Sequence, residues 1–206
     1  MKYLVMDLET DSLFDFTKAA DAPGQPRLCE ISMLFVDEQL EIEREITNLI
    51  KPEGWTIDET SEGFQVNQIT QKQLEADGVP SRDMAREYGS AIDERRIIVA
   101  FNAPFDIKMM RAELRRAGFP DRYMQTRYIC VMQGCRSLVD ARTETGKKKV
   151  PTMDEACIFF GFEPEAKPHR AAPGATRALW ILRALRDRGM FPAFKDPYDR
   201  PAKKKN

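Results

Sequence analysis

The stretch KYLVMDLET, residues 2–10, carries the pattern that decides the fold. Tyr3, Val5, Asp7 and Glu9 alternate with Lys2, Leu4, Met6 and Leu8, and a period of two is that of a β-strand. The alternation puts Asp7 and Glu9 on one strand face, ~7 Å apart along the backbone. Two carboxylates so placed repel unless a cation lies between them, and an all-oxygen pair suits a hard divalent ion such as Mg2+. Acidic pairs at strand ends are also commonly just solvated, so the pair by itself leaves both readings open.

Outward from this strand, residues 11–26 contain two prolines, a glycine and several acids and read as a long loop. CEISMLFVD and EIEREITNLI, parted by a short polar break at Asp37–Leu40, read as an antiparallel hairpin. Residues 51–80 read as irregular. A helix is expected over 81–94, a short buried strand at 97–101, and a helix from Asn102 until Gly118 and Pro120 stop it. Residues 123–140 and 152–161 also read as helical. The last helix carries an apolar stripe at Ala171, Ala175, Ala178, Leu182 and Leu185, spaced at helical intervals. With neither internal repeats nor low-complexity segments, the order predicts an α/β chain: a mixed central sheet with an antiparallel N-terminal meander and helices on its faces.

At 206 residues and 42% apolar content the chain can bury one substantial core. One domain is expected over 1–190, followed by a C-terminal tail, 191–206, basic at its PAKKKN end. The 32 basic and 33 acidic side chains nearly cancel, so no global positive field marks a nucleic-acid binder. A local patch would suffice for an enzyme that grips one strand end. Cys29, Cys130, Cys135 and Cys157 are too scattered for a zinc site and read as reduced thiols. Only four apolar positions precede the first acid, too few for a signal peptide, and no run approaches a membrane span. A cytoplasmic protein with no membrane partner is the expectation.

Two further islands stand out. In AFNAPFDIKMM a buried strand feeds Asn102, which can cap the next helix, and Asp106 falls in the first helical turn. Negative charge is favourable there because of the unpaired N–H groups and the helix dipole, which accounts for Asp106 without any chemistry. HRAAPGA, His169–Ala175, holds the chain's single histidine, in a loop ahead of the last helix. A lone histidine is usually an ordinary surface residue. Each island is weak; their order is specific.

In that order the chain resembles the DnaQ-like 3′–5′ exonucleases of the ribonuclease H-like fold, in the subgroup with three aspartates, one glutamate and a histidine (DEDDh). That family includes the proofreading exonuclease subunit of bacterial DNA polymerase III. The resemblance rests on VMDLETDSL, VAFNAPFDIKMM, TMDEACIFFGF and HRAAPGATRAL, with KPEGWTIDETSEGFQVNQIT similar to the family's proline-containing connection. It runs from about Tyr3 to Leu185. It implies two divalent metal ions, Mg2+ or Mn2+, held by Asp7, Glu9 and Asp106, with Asp7 bridging, clamping the scissile phosphate. His169 would deprotonate the attacking water. The implied product is a 5′-mononucleotide released from the 3′ end of a single-stranded nucleic acid, DNA favoured. Thr10 and Leu13 would wedge the terminal nucleotide, with Asn102 and Phe105 as further substrate neighbours. A polymerase or other protein partner is an additional expectation.

Two positions depart from the family pattern. Phe101 stands where many relatives have histidine, and simply extends the apolar strand. Gly174 stands where the family has its fourth carboxylate, five residues after His169. That aspartate is a direct ligand of the metal that activates water, so hydrolysis is expected to be impaired. Pro173-Gly174 also invites a turn, although proline is tolerated in a helix's first turn. Glu163 or Glu165 could substitute only by an unusual fold-back. The alternative function is a non-catalytic module that binds nucleic-acid ends in the same cleft, for which Lys108, Arg111, Arg115 and Arg116 form a basic run.

Overall fold

β1 (Tyr3–Thr10) is the central strand of a five-stranded mixed sheet in a computed structural model that describes residues 1–163 and 169–197. It pairs antiparallel with β2 (Leu28–Val36), which pairs antiparallel with β3 (Ile42–Leu49), so the meander and hairpin form as the sequence predicts. On its other side β1 pairs in parallel with β4 (Ile97–Ala100), and β4 in parallel with β5 (Tyr128–Cys130), giving the order β3-β2-β1-β4-β5. Parallel neighbours need crossovers. Three helices supply the first: α1 (Glu62–Asn67), α2 (Gln71–Asp77) and α3 (Ser81–Asp93).

The period-two pattern sorts the core into two layers. Leu4, Met6 and Leu8 pack on one face with Met84, Ala85 and Tyr88 of α3 and Ile107 and Met110 of α4 (Ala103–Arg116). Tyr3 and Val5 pack on the other with Ala175, Ala178 and Leu182 of α7 (Ala171–Asp187). Helices therefore cover both faces. Asp7 and Glu9 continue the α7 face, each half-buried between buried Met6, Leu8 and Thr10. α6 (Met153–Phe160) begins with a capping box, Thr152 and Glu155 bonding each other's backbone.

Two segments differ from expectation. Residues 123–140 do not form one helix: a 3-10 turn at Tyr123–Gln125 leads into β5 and then the short α5 (Val131–Cys135). Tyr128, Ile129 and Cys130 bond to β4, and pairing with an existing edge outweighs the weak helical periodicity of so short a run. Residues 51–80 hold α1 and α2, each with its own cap. Ser61 accepts from the Phe64 N–H, and Thr70 forms a capping box with Gln73. The Pro173-Gly174 pair makes no turn; α7 begins at Ala171 and runs through both. Proline costs little there because first-turn N–H groups lack intrahelical acceptors.

Lys195 exchanges backbone hydrogen bonds with Tyr128 (2.7 and 3.0 Å), so the chain just before its terminus covers the open edge of β5. PAKKKN and Glu165 lie outside the described residues. All four cysteines are buried, and none forms a disulfide. Among the described residues no helix is long and apolar enough to cross a membrane.

Candidate active site

Strand pairing, helix start and loop docking converge at the C-terminal end of β1. Asp7 and Glu9 lie opposite Ser32 and Glu30 of β2, so these four side chains share the α7 face. Asp106 sits in the first turn of α4, 4% exposed, as the strand–helix junction predicts. Burial raises its carboxyl pKa well above the usual carboxylate range, opposed by a backbone hydrogen bond and reinforced by the charge of Glu9.

Gly174 faces Asp7 directly. A Cβ at Gly174 would lie 2.1 Å from Asp7 Oδ2, so the Asp7 carboxylate occupies the space a side chain there would need. His169 is half-buried, and its backbone N–H donates to the Val66 carbonyl of α1 (3.2 Å). α1 is itself clamped to the end of β1: Asn67 Nδ2 donates to the Thr10 carbonyl (3.0 Å), and a Cβ at Gly63 would strike that same oxygen at 2.3 Å. The segment read as irregular thus seats both the end of β1 and the histidine.

The predicted substrate neighbours divide. Leu13 is 65% exposed. Thr10 is buried, its hydroxyl donating to the Ser12 carbonyl (2.8 Å) and shaping the turn. Asn102 occupies the N-cap position of α4 but makes no side-chain cap bond, contrary to expectation; its side chain is exposed. Phe105 packs edge-on against Phe14, with centroids 5.5 Å apart.

The basic run on α4 is committed to structure rather than open to a ligand. Lys108 Nζ donates to the Asp15 carbonyl (2.9 Å), Arg111 pairs with Asp121, and Arg115 bridges Asp21 and Asp121. Arg116 bonds Glu113 and the Pro26 carbonyl. These contacts rivet the 11–26 loop and Asp121 to α4, and they remove the run as support for a binding-only module.

A further polar anchor lies at Glu30, which is 2% exposed. Arg170 Nε donates to both its oxygens (2.9 and 3.1 Å), the Arg170 Nη2 bonds it as well, and the Ala171 N–H donates to Oε2 (2.8 Å). Glu30 therefore caps α7 from a neighbouring strand, where Arg170 provides no side-chain cap. Sequence reading passed over it. The available signal was a lone acid in the otherwise largely apolar run LCEISMLFV, since a buried carboxylate requires a partner.

The carboxylate set suits hard cations in kind but not in number or placement. Among the described residues no three His, Cys, Asp or Glu side chains gather closely enough to hold a metal ion. The two-metal centre implied by the resemblance does not fit the chain as it stands. Its fourth ligand is glycine, and Asp7 leans into the resulting gap.

Comparison with known proteins agrees with this geometry at the level of fold and family. The family model RNase_T, described as "Exonuclease", matches residues 4–180. Structures of Escherichia coli exonuclease I superpose on the chain. The complex with a dT13 oligonucleotide has a TM-score of 0.74 at 15% identity, covering 91% of this chain and 41% of that one. A zinc-bound form in complex with single-stranded DNA has a TM-score of 0.71 at 16% identity, covering 92% and 42%. The chain thus spans about two fifths of those proteins, and at such identity the likeness is one of fold. No curated protein sequence matches it. The matched span takes in β1, the α4 junction and most of α7, and the chain belongs to the RNase_T exonuclease family.

Proposed function

We propose that the chain is a 3′–5′ exonuclease domain that engages the 3′ end of a single-stranded nucleic acid, DNA favoured, and that its hydrolysis is impaired by Gly174. The observation that carries this is the packing of the Asp7 carboxylate into the space above Gly174, on the strand face it shares with Glu9, whose charge in turn acts on the buried Asp106. In this reading a scissile phosphate would lie against Asp7 and Glu9. His169, docked on α1 next to the first turn of α7, would take the proton of the attacking water. Leu13 and Phe105 would flank the terminal nucleotide. Exonuclease I structures with bound oligonucleotides support this choice of substrate class.

A second reading, a module that binds ends without cutting, draws on the same packing, because a site short of one carboxylate can keep a strand it cannot hydrolyse. One assay separates the two. A 3′-labelled single strand, as DNA and as RNA, is incubated with Mg2+ or Mn2+ and either this protein or Gly174→Asp. The exonuclease reading expects little release from the former and 5′-mononucleotides from the latter. Release by neither overturns it in favour of the module; equal release by both overturns the impairment.

A further inference from the structure

A cavity of about 550 Å³ opens between the start of β2, the end of β3, the first turn of α3 and the last turn of α4, away from the carboxylates. That volume falls in the range of small-ligand sites. Four cations line it, Arg27, Lys51, Arg82 and Arg116, against two carboxylates, Glu53 and Glu113. Arg116 and Glu113 satisfy each other. Arg27, Lys51 and Arg82 have no carboxylate within ion-pair distance among the described residues. This contrasts with α4, where Arg111, Arg115 and Arg116 are all paired.

Burial and the neighbouring Arg116 charge lower the pKa of Arg27, with Glu113 and Asp11 offsetting part of that effect. Cations crowded in a recess gain from an anion between them. In a chain with a net charge of −1 this is local placement rather than background. Trp55 lines the same cavity and packs against the small cluster of Cys29, Ile69 and Leu74, which holds its ring in place. An aromatic face beside three cations that form no ion pair among the described residues matches one ligand chemistry: a phosphate that carries a base.

We propose that this cavity is a second nucleotide-binding site, with phosphate against Arg27, Lys51 and Arg82 and a base on Trp55. It goes beyond the end-binding reading and does not depend on it. Arg27 follows the loop, and its backbone pairs with Asp11, two residues past Glu9. The nucleotide unit can belong to a strand or be free.

The experiment measures binding in EDTA of a labelled linear oligo-dT, a circular oligo-dT of equal length, and thymidine 5′-monophosphate as competitor. The proteins compared are the unaltered chain and the double variant Lys51→Gln/Arg82→Gln, with thermal melts to confirm that both are folded. Both replaced side chains are exposed and leave the core intact. Loss of two phosphate contacts is expected to weaken strand binding roughly 10-fold at moderate salt. It should also flatten the salt dependence by ~1.4 in log–log slope. A strand-specific site loses linear and circular binding together and is not competed by the monophosphate, whereas a free-nucleotide site is. Unchanged affinity and slope in the double variant overturn the proposal, as does failure of the unaltered chain to bind any of the three. Failure of Gly174→Asp to release nucleotides overturns the exonuclease reading alone.

Discussion

In Gly174→Asp the new Cβ falls 2.1 Å from the present position of Asp7 Oδ2, so the Asp7 side chain has to rotate before the variant can pack. Rotation relieves the clash, and the result is two carboxylates facing each other at a buried helix position. At ~5 Å and an effective dielectric near ~20 they repel by about 3 kcal/mol. Exchanging glycine for aspartate within a helix returns only ~0.3 kcal/mol. Without metal the variant should therefore be ~2–3 kcal/mol less stable, a fall of ~5–10 °C in Tm for a chain of this length. Gly174→Ala makes the same steric demand without charge and gains up to ~1 kcal/mol of helix propensity, so it should lose little or nothing. A divalent ion between the carboxylates reverses the sign of their interaction. At a free Mg2+ concentration about 100 times its Kd, binding restores ~2.7 kcal/mol. Circular-dichroism melts of the three proteins in EDTA and in Mg2+ provide the test. Equal Mg2+ responses of the unaltered chain and Gly174→Asp would refute the reasoning, as would a Gly174→Asp melt in EDTA that matches Gly174→Ala.

Glu30→Ala removes the α7 cap and an ion-pair partner of Arg170; with Arg170 41% exposed and able to rehydrate, the expected cost is ~2–4 kcal/mol, read as a lower urea midpoint. Glu30→Gln retains the side-chain volume and one acceptor and should cost about half as much, and equal loss in the two would show that the carboxylate charge, not the retained acceptor or packing, holds the anchor. At Asp121 burial raises the pKa, but hydrogen bonds from Arg111, the Tyr123 N–H and Arg115 outweigh it and bring the value down to about 2. A depressed folded-state value means its stabilisation is complete above the unfolded carboxyl range near ~4 and is lost as pH falls towards about 2. Asp121→Asn should flatten the acid limb of stability within that window, and an unchanged acid limb in urea titrations from pH 5 downward would count against the pairing.

Most of the sheet was readable because β1 alternates, β2 is a nearly continuous apolar run buried along its whole length, and a short polar break separates it from β3. The carboxylates on β1 and Asp106 in its helical turn were legible for the same reason: their places follow from strand alternation and a strand–helix junction. β5 was not, because three residues carry too little periodicity and only the neighbouring β4 edge makes them a strand. The α1–α2 segment was missed even though its caps at Ser61 and Thr70 stand in the sequence, since helices of six and seven residues display no apolar stripe. Glu30 escaped because its partners, Arg170 and the Ala171 N–H, lie about 140 residues away. The role of the α4 cations is likewise a matter of tertiary pairing: charge spacing along a helix is the same whether its partners are phosphates or aspartates.

The Glu30 cap also bears on how such a domain can change over time. The start of α7, and with it the placement of the residue beside His169, is hung from the second strand of the meander rather than from the chain that leads into the helix. A change at Glu30 therefore reaches the last helix through Arg170 and the Ala171 N–H. The second strand and the start of that helix are bound to vary together, although about 140 residues separate them.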